Sequence, residues 1–309
     1  MKKILIPYGR KQLSILVSRE NIMAIIYPRE TERKDDCEIL AQAIEQPLGQ
    51  HTLAAFIKRK GSLLVIANDA TRPTKTSVIL DMIENKIKRE HTHFLIATGA
   101  HRVPKDSELQ VIFGRHYGQY ADRILIHDSK NQSAMQYFGN TRYGTELWLN
   151  KCINQFDKIL VIGSVEPHYF AGYTGGRKSF LPGIAAYCSI EQNHRFALHP
   201  KAQPFSLDGN PVHEEMLDCM NALDLRMIFS VQMVLDRNHN IFEAFTGPLD
   251  KTFEMASQYA REIYAIKIPA KADIVVTVAQ RPFDVNLYQT LKALEHGKRA
   301  LRDKGILIV

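Results

Sequence analysis

Residues 158–183 read Lys158-Ile-Leu-Val-Ile-Gly-Ser164, then Val165, then Glu166-Pro-His-Tyr-Phe-Ala-Gly-Tyr-Thr-Gly-Gly-Arg-Lys-Ser-Phe-Leu-Pro-Gly183. The first part is a continuous apolar run, the pattern of a strand covered on both faces. The second is a Gly-rich segment carrying His168 and Lys178, with His194 close behind in Glu191-Gln-Asn-His194. A polar, glycine-rich turn directly after a buried strand sits at the carboxyl edge of a parallel sheet, where α/β proteins present their chemistry. Two histidines and a lysine among Gly172, Gly175, Gly176 and Gly183 exceed what a turn needs.

The same strand signature recurs at residues 22–26, 62–67, 93–97, 123–126 and 227–231, with helical patterns at 77–87 and 211–222 between them. This alternation predicts an α/β fold with mainly parallel sheets. The opening Met1-Lys-Lys-Ile-Leu-Ile-Pro-Tyr-Gly9 reads as a first strand; its apolar stretch is too short for a signal peptide. A helical pattern at 250–265 leads into a Pro-containing connector at 266–272. The chain therefore divides into a first domain, 1–266, and the beginning of a second α/β domain, 273–309. That second part reads as a strand at 274–278, a loop through Pro282 and Asn286, a helix at 287–303 and a strand at 306–309. One strand–helix–strand unit cannot cover both faces of its own sheet, so the second domain reads as incomplete, the chain being a fragment or relying on a partner.

With 309 residues, 45% hydrophobic and 24% charged, the composition excludes a disordered chain. The net charge of +7 is spread in ones and twos with no basic block, which argues against a nucleic-acid partner. No apolar window reaches the roughly 20 residues that span a bilayer, so no membrane partner and a cytoplasmic location are expected. Cys37, Cys152, Cys188 and Cys219 are far apart and form neither a disulfide framework nor a Cys-type zinc site.

Two more strand ends carry polar signatures. In Asn68-Asp-Ala-Thr-Arg-Pro-Thr74, Asp69 and Thr71 have the chemistry of helix caps, while the planar fork of Arg72 suits a carboxylate or phosphate. In Ala97-Thr-Gly-Ala-His-Arg-Val-Pro104, His101 follows a strand and a glycine turn; alone it is a structural histidine, and beside the other motifs a catalytic one. Gly175-Gly176-Arg177-Lys178 lacks the GxxxxGK[ST] spacing of a Walker nucleotide site, since Gly176 stands two residues before Lys178 and Ala171 five before that. The glycines instead suit close approach of the backbone to a bulky cofactor. No HExxH motif accompanies the histidines. His91, His116, His239 and the run His213-Glu214-Glu215 read as solvated surface.

Taken in order, Pro7-Tyr-Gly9, Asp69-Ala-Thr-Arg-Pro73, Thr98-Gly-Ala-His-Arg102, Pro167 through Gly183, Asn193-His194 and Asp284-Val-Asn-Leu-Tyr-Gln-Thr-Leu-Lys292 closely resemble the lactate racemase family. These are nickel-pincer-dependent racemases and epimerases of 2-hydroxy acids. The resemblance implies two domains with the active site in the cleft between them, the first binding the cofactor. That cofactor is a nickel-pincer nucleotide, a pyridinium mononucleotide whose thioamide and thiocarboxylic acid grip nickel through S, C and S. It implies covalent attachment at Lys178, nickel ligation by His194, and His101 and His168 as paired acid/base residues. Asp69, Arg72, Gly175 and Gly176 would bind the cofactor. Arg72, Tyr288, Gln289 and Lys292 would bind the substrate.

The implied reaction is racemisation or epimerisation of a lactate-like 2-hydroxy acid. Hydride leaves Cα for the cofactor as the hydroxyl proton passes to a histidine, and its return to the other face of the 2-keto acid inverts the centre. Cofactor-synthesis proteins would be partners. Two other readings stay open on sequence: a truncated family member that binds cofactor or 2-hydroxy acid without turnover, and a dehydrogenase using a diffusible nicotinamide. Against the second, no GxGxxG follows the first strand.

Overall fold

The computed structural model describes residues 1–9, 11–279, 284 and 287–309. The chain forms two compact units, one of Met1–Arg29 with Ala265–Val309, the other of Glu30–Tyr264. The larger unit is built on a six-stranded sheet ordered Ile241–Gly247, Ile228–Leu235, Lys158–Ser164, Leu63–Asn68, Thr92–Ala97, Ile124–Ile126. All neighbours are parallel except the first pair, Ile228–Leu235 with Ile241–Gly247. Every residue of Lys158–Ser164 and Ile228–Leu235 is buried, as continuous apolar runs require. One face packs on the helices Asp36–Glu45 and Thr76–Ile83 through Ile39, Leu40, Ile79 and Leu80; the other packs on Pro211–Asn221 through Val212, Met216 and Cys219.

Register places the ends of the central strands side by side. Ala67 lies opposite Ile162, Asn68 opposite Ala97, and Ser164 opposite Met233. The motifs after Asn68, Ala97 and Ser164 therefore leave the sheet along one carboxyl edge. Sequence-distant chemistry is brought together by strand order alone.

In the smaller unit, Lys2–Tyr8 pairs antiparallel with Lys11–Val17, and Ala272–Val276 pairs parallel with Leu301–Ile308 around the helix Leu287–Gly297. The first 29 residues group here rather than with a domain running from residue 1 to 266. The cause is packing: all three hydrophobic clusters of the larger unit draw their buried residues from between Ile39 and Ile263. The apolar run at 22–26 forms no strand; it has no pairing partner among the described residues, and Met23, Ile25 and Ile26 are exposed. The helix expected over 287–303 stops at Gly297, and the last strand starts earlier, at Leu301, where it pairs with Ala272. The loop expected through Pro282 and Asn286 lies outside the described residues. Among those described, no helix is long and apolar enough to cross a membrane.

Candidate active site

The turn after Asn68 is shaped by Asp69. Its Oδ1 accepts from Thr71 N (3.1 Å) and Thr71 Oγ1 (2.6 Å), and its Oδ2 lies 2.7 Å from His101 Nδ1. Neither Asp69 nor Thr71 caps the following helix, whose N-cap position is Lys75 with no side-chain cap. Burial alone would raise the Asp69 pKa. Hydrogen bonds from His101 and Thr71, with the charges of His101 and Arg72, outweigh burial and hold the carboxyl below its usual range. A carboxylate only accepts, so the proton between them sits on His101 Nδ1. Arg72 is half-buried, and its amide donates to Asp69 O at 3.1 Å.

The Gly-rich segment folds back on itself. Pro167–His168 pairs antiparallel with Gly172–Tyr173, Thr174 Oγ1 donates to Ser164 O (3.0 Å), and Glu166 N donates to Thr174 Oγ1 (2.8 Å). Gly172 (φ 76°) is required here, since a Cβ would stand 2.3 Å from Ser206 O. Gly175 and Gly176 turn their Cα faces to Val165, Gln232 and Phe253 rather than to open space. Their lack of side chains lets the chain pack closely at these two positions.

One ring organises the chemistry of this segment. Phe170 lies 4.6 Å from the His168 ring, 5.0 Å from the His194 ring, and 5.6 Å from Lys178 Nζ. His168 is buried and its Nδ1 accepts from Ala171 N at 3.3 Å, so the neutral ring carries its proton on Nε2. His194 ends the helix Tyr187–His194. Burial, then the charge of Lys178, pushes its pKa down to about 3 against a backbone hydrogen bond to Ile190 that raises it, and its buried Nδ1 meets the geometry of no hydrogen bond among the described residues. A neutral imidazole of this kind is chemically able to bind a metal ion. Among the described residues no group of three His, Cys, Asp or Glu side chains forms a metal site.

Sequence reasoning singled out the three polar side chains but not Phe170, whose only signal is an aromatic inside the Gly-rich run. The His101 and His168 groups belong to one edge: Gly99 N donates to Gly183 O (2.9 Å), and Thr74 Oγ1 lies 3.2 Å from Ser164 Oγ. Gln289 and Lys292 sit on the helix of the smaller unit, with Lys292 Nζ donating to Gln289 Oε1 at 2.6 Å. The Tyr288 side chain lies outside the described residues, as do Val285 and Asn286 of that motif.

The run His213-Glu214-Glu215 is not a solvated surface. Glu215 is fully buried; its Oε1 accepts from Thr141 Oγ1 (2.7 Å) and Thr145 Oγ1 (2.5 Å), and its Oε2 from Asn193 Nδ2 (3.0 Å). His213 is buried against Arg177. His116 is buried too, with Nε2 2.7 Å from Asp81 Oδ1. In each case mutual hydrogen bonding replaces water, which hydropathy does not register.

A family model described as the lactate racemase N-terminal domain matches residues 8–204. The lactate racemase of Thermoanaerobacterium thermosaccharolyticum is 33% identical over 319 residues, covering 100% of this chain and 74% of that protein. The lactate racemase of Lactiplantibacillus plantarum is 27% identical over 320 residues, with the same shares. The structure of the T. thermosaccharolyticum lactate racemase apoprotein matches with a TM-score of 0.88 at 31% identity, over 99% of this chain and 73% of that one. Likeness of sequence and of fold coincide over nearly every residue, and the chain belongs to the lactate racemase family, as an isomerase of the racemase class.

Proposed function

We infer that this chain racemises or epimerises a lactate-like 2-hydroxy acid, using a nickel-pincer nucleotide attached at Lys178. Family membership implies a nickel-dependent cofactor. One observation carries the finer reading: the neutral His194 imidazole, its Nδ1 without a hydrogen-bond partner among the described residues, shares the Phe170 ring with Lys178 and His168. The residues fit the group. The His194 imidazole would ligate nickel, and the Lys178 amine would provide the covalent tether. When bound, the group supplies an acceptor for the hydride of Cα, so that no carbanion forms beside the substrate carboxylate.

The chain's own residues handle the protons. Asp69 holds His101 through Nδ1, which leaves Nε2 as the nitrogen to take the hydroxyl proton as Cα loses hydride and the substrate becomes a planar 2-keto acid. His168, held by the Ala171 amide, offers Nε2–H to the substrate oxygen. Taking a proton at that same nitrogen requires the other tautomer and costs the Ala171 contact, so the two histidines of the acid/base pair are not interchangeable. Arg72, Tyr288, Gln289 and Lys292 are proposed to hold the substrate carboxylate. Cofactor-synthesis proteins are the partners this reading requires.

Coexpression with a cofactor-synthesis system, followed by intact-protein mass spectrometry, nickel analysis and chiral assay of 2-hydroxy acids, tests it. Wild type should gain mass and nickel and invert a 2-hydroxy acid, and Lys178→Ala should do none of these. A Lys178→Ala chain that still carries the adduct, or a loaded wild type that inverts no 2-hydroxy acid, would sink the reading.

A further inference from the structure

Arg177 takes no part in the reaction above, yet it is among the largest fully buried side chains in the protein. Its partners are all neutral. Nε donates to His213 Nδ1 (2.8 Å), one terminal nitrogen to Ala171 O (2.8 Å), the other to Tyr173 O (3.4 Å), and the guanidinium lies 4.0 Å from the centre of the Phe253 ring. Burial pulls its pKa down to about 9, so at neutral pH it remains a cation. His213 is the matching acceptor: burial, then the charge of Arg177, pushes its pKa down to about 3, which keeps the Nδ1 lone pair available. A buried cation without an anion is costly, and an apolar side chain would fill the same space. What an apolar side chain lacks is a rigid fork of directed donors.

That fork points at the strand pair carrying His168. Ala171 and Tyr173 flank Gly172, which lies opposite His168 in the pairing, and Tyr173 lies opposite Pro167. Ala171 is held at both ends: its carbonyl accepts from Arg177 and its amide donates to His168 Nδ1. We propose that Arg177 is the positioning residue for His168, fixing Ala171 and Tyr173 and through them the orientation and tautomer of the imidazole. The catalytic consequence rests on the role of His168 proposed above; the structural relay does not.

The full-length chain labelled with 15N-histidine gives a readout that needs no cofactor, with His168 signals assigned by their absence from His168→Gln. Wild type should show an accepting Nδ1 and a protonated Nε2. Arg177→Met, folded by circular dichroism, should show an averaged tautomer, and Arg177→Lys, which keeps the charge and loses the fork, should not restore the pattern. In protein loaded at Lys178, kcat per loaded chain should fall about 10- to 100-fold with KM little changed. If Arg177→Met does not fold, His213→Leu, which strips the guanidinium of its Nε acceptor, is read by the same two measurements. Wild-type nitrogen signals and kcat in either folded variant, or full restoration by lysine, would overturn the proposal. An Arg177-dependent tautomer in a chain that inverts no 2-hydroxy acid would leave the relay standing and remove the reaction.

Discussion

At the scale of single residues, two histidines are driven to the same neutral state for different ends. His194 and His213 both have pKa values pushed to about 3 by burial first, with Lys178 acting on one and Arg177 on the other. His194 Nδ1 finds no hydrogen-bond partner among the described residues; His213 spends its lone pair on Arg177. His213 predicts a pH dependence whose sign is fixed. Its folded pKa lies below the ordinary 6.5, so its contribution to stability is complete above about pH 6.5. As pH falls, the unfolded chain takes up a proton that the folded chain refuses, and the contribution is lost progressively down to about pH 3. One such group gives a slope of up to about 1.4 kcal/mol per pH unit. His213→Asn, which keeps an acceptor oxygen and removes the titration, should unfold in urea with a shallower loss of stability between about pH 6.5 and about pH 5. Parallel slopes for the two chains would show that His213 is not the neutral acceptor its geometry implies.

Among secondary-structure elements, what was legible in the sequence follows from the kind of force involved. The runs at 62–67, 93–97, 158–162 and 227–231 became central strands because continuous apolarity needs cover on both faces, which this sheet supplies. The run at 22–26 looked the same and pairs with no strand among the described residues. Elements held by buried polar contacts were misread, since only the fold reveals the partner. Glu215 is the clearest case: it joins the helices Tyr187–His194 and Pro211–Asn221 and the turn between Thr141 and Thr145 through three donors. Glu215→Ala leaves both threonine hydroxyls without an acceptor and Asn193 Nδ2 with Val212 O alone, and should destabilise the chain by about 2–4 kcal/mol. Glu215→Gln keeps an acceptor for the threonines but turns an amide toward Asn193 Nδ2, and should cost about 1–2 kcal/mol. Denaturant midpoints at unchanged m-value measure both. A glutamine variant as damaged as the alanine one would mean that the network needs the charge rather than the pattern of acceptors.

For the whole molecule, the candidate site residues stood out as motifs, but their division between two units was only half legible. The connector at 266–272 marked one boundary because proline and small residues interrupt a helical pattern. Nothing in Lys2–Tyr8 distinguished a strand of the large sheet from one that pairs only with Lys11–Val17, since pairing partners are a property of the fold. The resulting division separates candidate roles. Asp69, His101, His168, Lys178 and His194 all lie in the unit Glu30–Tyr264, while Tyr288, Gln289 and Lys292 lie in the other. The larger unit contains all three hydrophobic clusters, so residues 30–264 expressed alone should unfold as one cooperative transition. On the function proposed here, that fragment should still gain mass and nickel at Lys178 when coexpressed with cofactor-synthesis proteins, yet lose at least about 100-fold in turnover because it lacks groups proposed to hold the substrate. Mass spectrometry and a chiral assay on the same preparation separate the two functions. A fragment that inverts a 2-hydroxy acid at the rate of the full chain would show that the Tyr288–Lys292 segment is dispensable, and would return the binding of the carboxylate to Arg72 and its neighbours.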